Sequence, residues 1–97
     1  MLDVELDPLA EVDVVQARGW YELRREGLGD EFLDAIRDAL ICVQRLPLGY
    51  PQILRDVRSI VLKRFPYHIC YQVEEKRILV LAVYHARMNP RRWRERF

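Results

Sequence analysis

Two histidines and a neighbouring arginine are the residues of this sequence best suited to chemistry. His85 and Arg87 stand at the end of one apolar run, and His68 lies in an earlier run. Histidine titrates near neutral pH and can transfer protons, while arginine can hold a phosphate or a carboxylate through two parallel hydrogen bonds. A structural histidine at the end of a strand is the alternative interpretation of His85.

Basic residues flank these runs and dominate the end of the chain. Residues 57–97 carry ten Lys and Arg against three Glu, a net charge of +7, whereas residues 1–56 carry −6. An acidic half joined to a basic half indicates a macromolecular partner. A solvated tail is the alternative for the last arginines. The predicted contacts to a partner are Arg58, Lys63, Arg64, Arg87, Arg91, Arg92 and Trp93.

The length and composition predict one soluble domain that spans residues 1–97. Apolar residues make up 51% of the chain and charged residues 32%, values typical of a folded globular protein. The longest apolar run is far shorter than the roughly 20 residues that cross a bilayer, and the acidic start does not resemble a signal peptide. We therefore expect a cytoplasmic protein with no membrane association.

The sequence contains no recognisable metal or cofactor motif. Cys42 and Cys70 are too few and too far apart for a metal knuckle, and each lies beside apolar neighbours. We expect both to be buried free thiols. A glycine-rich phosphate loop and a Ser-His-Asp set are also lacking in the sequence, so we predict no metal and no cofactor.

The apolar periodicity predicts how these residues are positioned. Residues 1–6 alternate like a strand, and helices are expected from Pro8 to about Arg25 and from Asp30 to Leu46, separated by a glycine break. A loop follows to about Asp56. Strands are then predicted at residues 58–64, 67–73 and 77–85, with the last one central in the sheet. The order β-α-α-β-β-β predicts an α+β fold, in which a helical hairpin packs on a mostly antiparallel sheet.

Four ordered blocks carry a resemblance to a known family. They are WYEL at residues 20–23, GLGDEF at 27–32, R-F-P-Y-x-I-x-Y-x-V at 64–73 and V-L-A-V-x-H-x-R at 80–87. Together they resemble the RelE/ParE superfamily, the toxins of type II toxin–antitoxin and plasmid-stabilisation modules. The resemblance extends over about residues 4–93.

The resemblance implies a toxin that a cognate antitoxin neutralises. The flexible C-terminal segment of such an antitoxin wraps the toxin, and we expect acidic residues in it that match the basic half of this chain. The family has two activities on one fold. RelE-like members are ribosome-dependent endoribonucleases that cut mRNA, whereas ParE-like members inhibit DNA gyrase.

The residues at the family's nuclease positions favour the ParE-like branch. Metal-free RNA cleavage needs a base, an acid and cations around the phosphate. His68 stands where RelE-like nucleases carry an arginine, Ile60 and Leu62 stand near their lysine pair, and the C-terminal tail has no clear match to their tyrosine. We therefore expect a gyrase inhibitor rather than an enzyme. The alternatives are a metal-independent mRNA endoribonuclease that uses His68, His85 and Arg87, and a non-toxic module that only binds its antitoxin.

Overall fold

Two helices pack on one face of a five-stranded sheet in the computed structural model. The model describes residues 1–97 except the side chain of Trp93, so the predicted partner contact of Trp93 lies outside the described residues. The elements are β1 (Asp3–Leu6), α1 (Pro8–Arg24), α2 (Leu28–Arg45), β2 (Gln52–Leu54), β3 (Val57–Val61), β4 (Tyr67–Val73), β5 (Arg77–His85) and α3 (Pro90–Arg94). The strand order is β1-β5-β4-β3-β2, and only the pairing of β1 with β5 is parallel. This architecture confirms the α+β fold class, the helical hairpin and the interior position of β5.

Two elements were not predicted from the sequence. The predicted loop after α2 contains the short strand β2, and the C-terminal tail, for which no element was predicted, contains the short helix α3. The Arg58 guanidinium holds that loop beside the sheet, because its Nη1 donates to the carbonyls of Leu48 (3.1 Å) and Tyr50 (2.7 Å). The strand predicted at residues 58–64 is shorter and ends at Val61.

A polar contact between the two helices sets the helical hairpin. Asp7 caps α1 by accepting the backbone N–H of Leu9 at 3.0 Å. Near the end of α1, the Glu22 carboxylate accepts the backbone N–H groups of Gly27 and Gly29, each at 3.0 Å. Gly27 has a φ of 87°, a conformation that glycine adopts without steric cost. The chain therefore reverses direction and lays α2 against α1.

The main core lies between the helical hairpin and the sheet. Its aromatic part joins Tyr21 of α1 and Phe32 of α2 to Phe65 and Tyr67, with ring centroids 4.9 to 6.1 Å apart. Tyr71 is fully buried beside them, and its hydroxyl donates to the carbonyl of Pro47 at 2.6 Å. These contacts fix the helices over the middle of the sheet.

A bulge in β5 changes which side chains face the helices. Cys70 pairs with Ala82 and Tyr71 pairs with Val80, so β5 carries Leu81 as an extra residue opposite β4. A bulge of this kind shifts the alternation of side chains by one position. Val83 consequently joins the core under the helices, while Ala82 joins a second, smaller apolar cluster on the other face of the sheet.

Candidate functional site

The two predicted histidines lie on opposite faces of the sheet. His85 pairs with Tyr67, whose ring it meets edge-on at 5.2 Å on the face that carries the helices. His68 pairs with Tyr84, and their rings stack in parallel at 5.0 Å on the other face. The structure therefore does not bring His68 and His85 into one site. The bulge at Leu81 is the cause, because strict alternation along β5 would have put His85 on the face of His68.

A small polar cluster surrounds His68 on the face without α1 and α2. The Ser59 hydroxyl lies 3.4 Å from His68 Nδ1, and Cys70 contacts both Ser59 and Tyr84. Burial lowers the pKa of His68, raises the pKa of the Cys70 thiol to about 11, and raises the pKa of the Tyr84 hydroxyl above its usual value. All three shifts favour the neutral form of the side chain, because a charged group loses its hydration when it is buried. At neutral pH the cluster provides neither a thiolate nor a phenolate.

The C-terminal tail covers part of this face. Phe97 packs against the small apolar cluster of Val57, Cys70, Ala82 and Tyr84. Arg96 anchors the tail by binding the Asp13 carboxylate of α1 through two contacts of 2.7 and 2.8 Å. Neither Asp13 nor Arg96 was predicted from the sequence to form such a contact. The only signal was an acidic residue within the apolar stretch Val12 to Val15.

His85 lines a cleft between α1 and the end of β5. The cleft has a volume of about 420 Å³, and Asp13, Trp20, Tyr67 and Met88 also line it. His85 Nδ1 accepts the backbone N–H of Arg87 at 3.0 Å, so the neutral ring carries its proton on Nε2. His85 is therefore bonded to the backbone at the end of β5, although its ring accepts an N–H and does not donate to a carbonyl.

The predicted partner-binding cations fall into two groups. Arg58 binds two backbone carbonyls, and Arg64 forms an ion pair of 2.8 Å with Glu31. Both therefore already stabilise the fold. The second group has no ion-pair partner within the described part of the chain and is exposed to solvent. Its members are Lys63, Arg87, Arg91 and Arg92.

Two apolar surfaces are open to solvent. One is the outer side of α1, where Val12, Val15 and Leu23 are exposed by 49%, 69% and 84%. The other is a groove of about 410 Å³ between α2 and β3, with Ala35 and Ala39 in its floor. Exposed apolar surface of this kind typically marks a place where another macromolecule binds.

No group of three or more metal-binding side chains comes together among the described residues. Over the same residues, no helix is both long and apolar enough to cross a membrane.

Comparison with known proteins gives the family. The family model for the ParE toxin of type II toxin–antitoxin systems, parDE, matches residues 4–90. The chain belongs to the ParE toxin family. The match covers the helical hairpin and all of the sheet except Asp3, and it confirms the resemblance to the RelE/ParE superfamily.

Solved structures agree on the fold of this ParE family member. The chromosomal ParDE system from P. aeruginosa matches with a TM-score of 0.65 and 22% identity, over 88% of this chain and 96% of that chain. The toxin–antitoxin complex RelBE2 from Mycobacterium tuberculosis matches with a TM-score of 0.60 and 18% identity, over 87% of this chain and 96% of that one. No curated protein sequence matches this chain.

Proposed function

We propose that this protein is the toxin of a type II toxin–antitoxin module and that it inhibits DNA gyrase without catalysing a reaction itself. Its membership of the ParE toxin family supports the first part. The observation that carries the second part is the separation of His68 and His85 by the sheet. Growth arrest in the bacterial cytoplasm and stabilisation of a plasmid are the expected consequences.

The geometry supports this proposal over RNA cleavage. A metal-free nuclease needs an acid, a base and cations within reach of one phosphate. His68 lies in a cluster whose pKa shifts favour neutral side chains, and Ile60 and Leu62 are buried core residues rather than phosphate ligands. His85, whose ring accepts the backbone N–H of Arg87, lies on the other side of the sheet from His68. The nuclease triad of His68, His85 and Arg87 therefore lacks a common site.

A cognate antitoxin is the partner that we propose. The similar solved structures are toxin–antitoxin complexes, a ParDE system and RelBE2. This chain exposes the apolar surfaces that such a partner could cover, on α1 and between α2 and β3. A flexible antitoxin segment that folds on binding can reach several such surfaces at once.

The exposed cations at the C-terminal end of the sheet are the proposed contacts to the target. Arg87, Arg91 and Arg92 carry three positive charges within six residues and have no ion-pair partner among the described residues. Arginine binds carboxylates and phosphates through matched pairs of hydrogen bonds. A complex of gyrase with DNA offers both groups. Lys63, near the groove between α2 and β3, is assigned to the antitoxin instead.

Controlled expression in bacteria tests this function. Expression of the protein alone should arrest growth, induce the SOS response and linearise plasmid DNA, and co-expression of the antitoxin encoded beside it should restore growth. Primer extension on total mRNA provides the competing readout. Cuts at defined codon positions without DNA damage would identify a nuclease, and normal growth would identify a module that only binds its antitoxin.

A further inference from the structure

The cleft between α1 and the end of β5 has apolar walls and opens to solvent beside an aromatic ring. Trp20, Val83 and Met88 contribute apolar walls, and Trp20 is 50% exposed. The volume of about 420 Å³ can receive a large aliphatic or aromatic side chain of another molecule. A half-exposed aromatic residue at the mouth of an apolar cleft is typical of a place where a partner binds.

Cations border this cleft on two sides. On the α1 side, the Arg24 guanidinium lies over the Trp20 ring, 3.8 Å from its centroid. On the other side, His85 and Met88 line the cleft, so Arg87 lies between two lining residues. Arg24 and Arg87 are exposed, and neither has an ion-pair partner over the described part of the chain.

The C-terminal tail adds two more cations and is attached to the cleft at two points. Met88 lines the cleft before α3, and after α3 Arg96 binds Asp13, which is another lining residue. Arg91 and Arg92 belong to the short segment between these two attachments. Their positions are therefore restrained near the cleft, although α3 itself has only five residues.

The carboxylate that lines the cleft is already paired. Among the described lining residues only Asp13 is acidic, and Arg96 binds it at 2.7 and 2.8 Å while the backbone N–H of Val83 donates to it at 2.9 Å. The cleft thus combines apolar walls with a positively charged border. A partner that fits it carries negative charge around an apolar group.

We propose that this cleft is the docking site for an acidic polypeptide segment of the target enzyme. The segment inserts an apolar side chain beside Trp20 and places carboxylates against the bordering arginines. This inference rests on the proposed function, and it specifies which component of a gyrase–DNA complex the toxin contacts. The apolar group provides affinity at the centre of the interface, and the charged pairs around it fix the orientation. The bordering arginines are Arg24, Arg87, Arg91 and Arg92.

A protein segment fits these features better than DNA does. A duplex carries its phosphates outside and its bases stacked inside, so no part of it enters an apolar cleft unless a base is extruded, which costs free energy. Proteins that bind DNA through its phosphates also carry a strong positive charge. This chain has a net charge of only +1, and residues 1–56 are acidic.

Binding to purified gyrase in the absence of DNA tests the class of partner. The toxin should bind DNA-free gyrase, and it should bind a labelled duplex that contains a gyrase cleavage site at least about a hundredfold more weakly. Isothermal titration with each partner measures the two affinities. A requirement for DNA, or equal affinity for the duplex alone, would overturn the proposal in favour of a nucleic-acid contact.

Paired substitutions on α1 test the cleft itself. Gln16→Trp places a bulky ring at a lining position, whereas Val15→Trp places the same ring at the preceding position, which does not line the cleft. Trp20→Ala removes the proposed contact, and Leu23→Ala removes an exposed apolar side chain of the same helix outside the cleft. Gln16→Trp and Trp20→Ala should each weaken gyrase binding at least about tenfold, and the two controls should bind normally. Circular dichroism establishes which variants are folded, and either cleft variant suffices if the other does not fold.

The outcomes separate this docking site from the function on which it rests. Unchanged gyrase binding by the cleft variants, in a toxin that still inhibits supercoiling, would overturn the docking site and leave the proposed function intact. A toxin that neither binds gyrase nor inhibits supercoiling would overturn the proposed function, and the docking site with it.

Discussion

Arg96 and Asp13 form a bidentate ion pair although they lie 83 positions apart in the sequence. Asp13 Oδ2 also accepts the backbone N–H of Val83 at 2.9 Å, so one carboxylate joins α1, β5 and the C-terminal tail. The Asp13 side chain is only 12% exposed. Because the carboxylate is shielded from water, its hydrogen bonds should contribute more to stability than those of a surface pair.

The first prediction concerns this ion pair. Arg96→Ala should lower the free energy of unfolding by about 1–2 kcal/mol, because it leaves a poorly solvated carboxylate without its cation. Urea denaturation followed by circular dichroism measures the change. Arg37→Ala is the control, since its pair with Asp34 is exposed by 72% and 67%, and such pairs contribute less than about 0.5 kcal/mol. Equal losses in the two variants would mean that the tail is not anchored as described.

The second prediction concerns stability at alkaline pH. Burial raises the pKa of Cys70 from 9.0 to about 11 and that of Tyr71 from 10.0 to about 12. Above pH 9 the unfolded chain loses the Cys70 proton while the folded chain keeps it, so the free energy of unfolding should fall as pH rises from 9 towards 11. Denaturation at pH 7, 9 and 10 measures this decrease. In Cys70→Ala the free energy of unfolding should decrease less between pH 9 and 10 than in the unmodified protein. An identical decrease would show that Cys70 is not the group responsible.

The third prediction contrasts two glycines of the helical hairpin. Gly19 lies within α1, and a Cβ there would meet nothing within 4 Å, so Gly19→Ala should stabilise the fold by about 1 kcal/mol. At Gly29 a Cβ would lie 2.9 Å from the Glu22 carboxylate and 3.0 Å from the Arg18 carbonyl. Gly29→Ala should therefore destabilise the fold by about 1–2 kcal/mol. Thermal unfolding should give a higher melting temperature for Gly19→Ala and a lower one for Gly29→Ala. A change in the same direction for both variants would count against the described packing of the hairpin.

The strands with the clearest patterns could be predicted from the sequence. Tyr67–Val73 and Arg77–His85 lie where the apolar alternation placed them, since alternation is a local property of the chain. β2 escaped prediction because its three residues follow a stretch rich in proline and glycine. It is held there by its pairing with β3 and by the contacts of Arg58 with loop carbonyls.

The site was harder to predict than the fold, for a physical reason. The bulge at Leu81 is set by packing across the sheet, and it alone moves His85 to the opposite face from His68. Likewise, Arg64 looked free in the sequence, yet it binds Glu31 from α2, 33 positions earlier. Patterns of residue type indicate which cations exist, but only tertiary contacts determine which of them remain available to a partner.

The fourth prediction separates the proposed target contacts from the polar cluster of His68. The double variant Arg91→Glu/Arg92→Glu should reduce inhibition of gyrase at least about tenfold, because it reverses two charges at the proposed contact. The control is Arg45→Glu/Lys76→Glu, an equal charge change at exposed positions elsewhere, which should inhibit normally. His68→Gln should also inhibit normally, since no catalytic role is proposed for it. If His68→Gln lost gyrase inhibition while Arg91→Glu/Arg92→Glu kept it, the target contact would lie at His68 and not at the C-terminal arginines.

The most direct test of a non-catalytic gyrase inhibitor is a reaction of the purified toxin with DNA gyrase and supercoiled plasmid. The proposed function predicts loss of supercoiling activity and, after denaturation of gyrase with detergent, linear plasmid that increases with toxin concentration. Addition of the antitoxin should abolish both effects. Unaffected gyrase, together with cleavage of mRNA on translating ribosomes by the same preparation, would contradict the account.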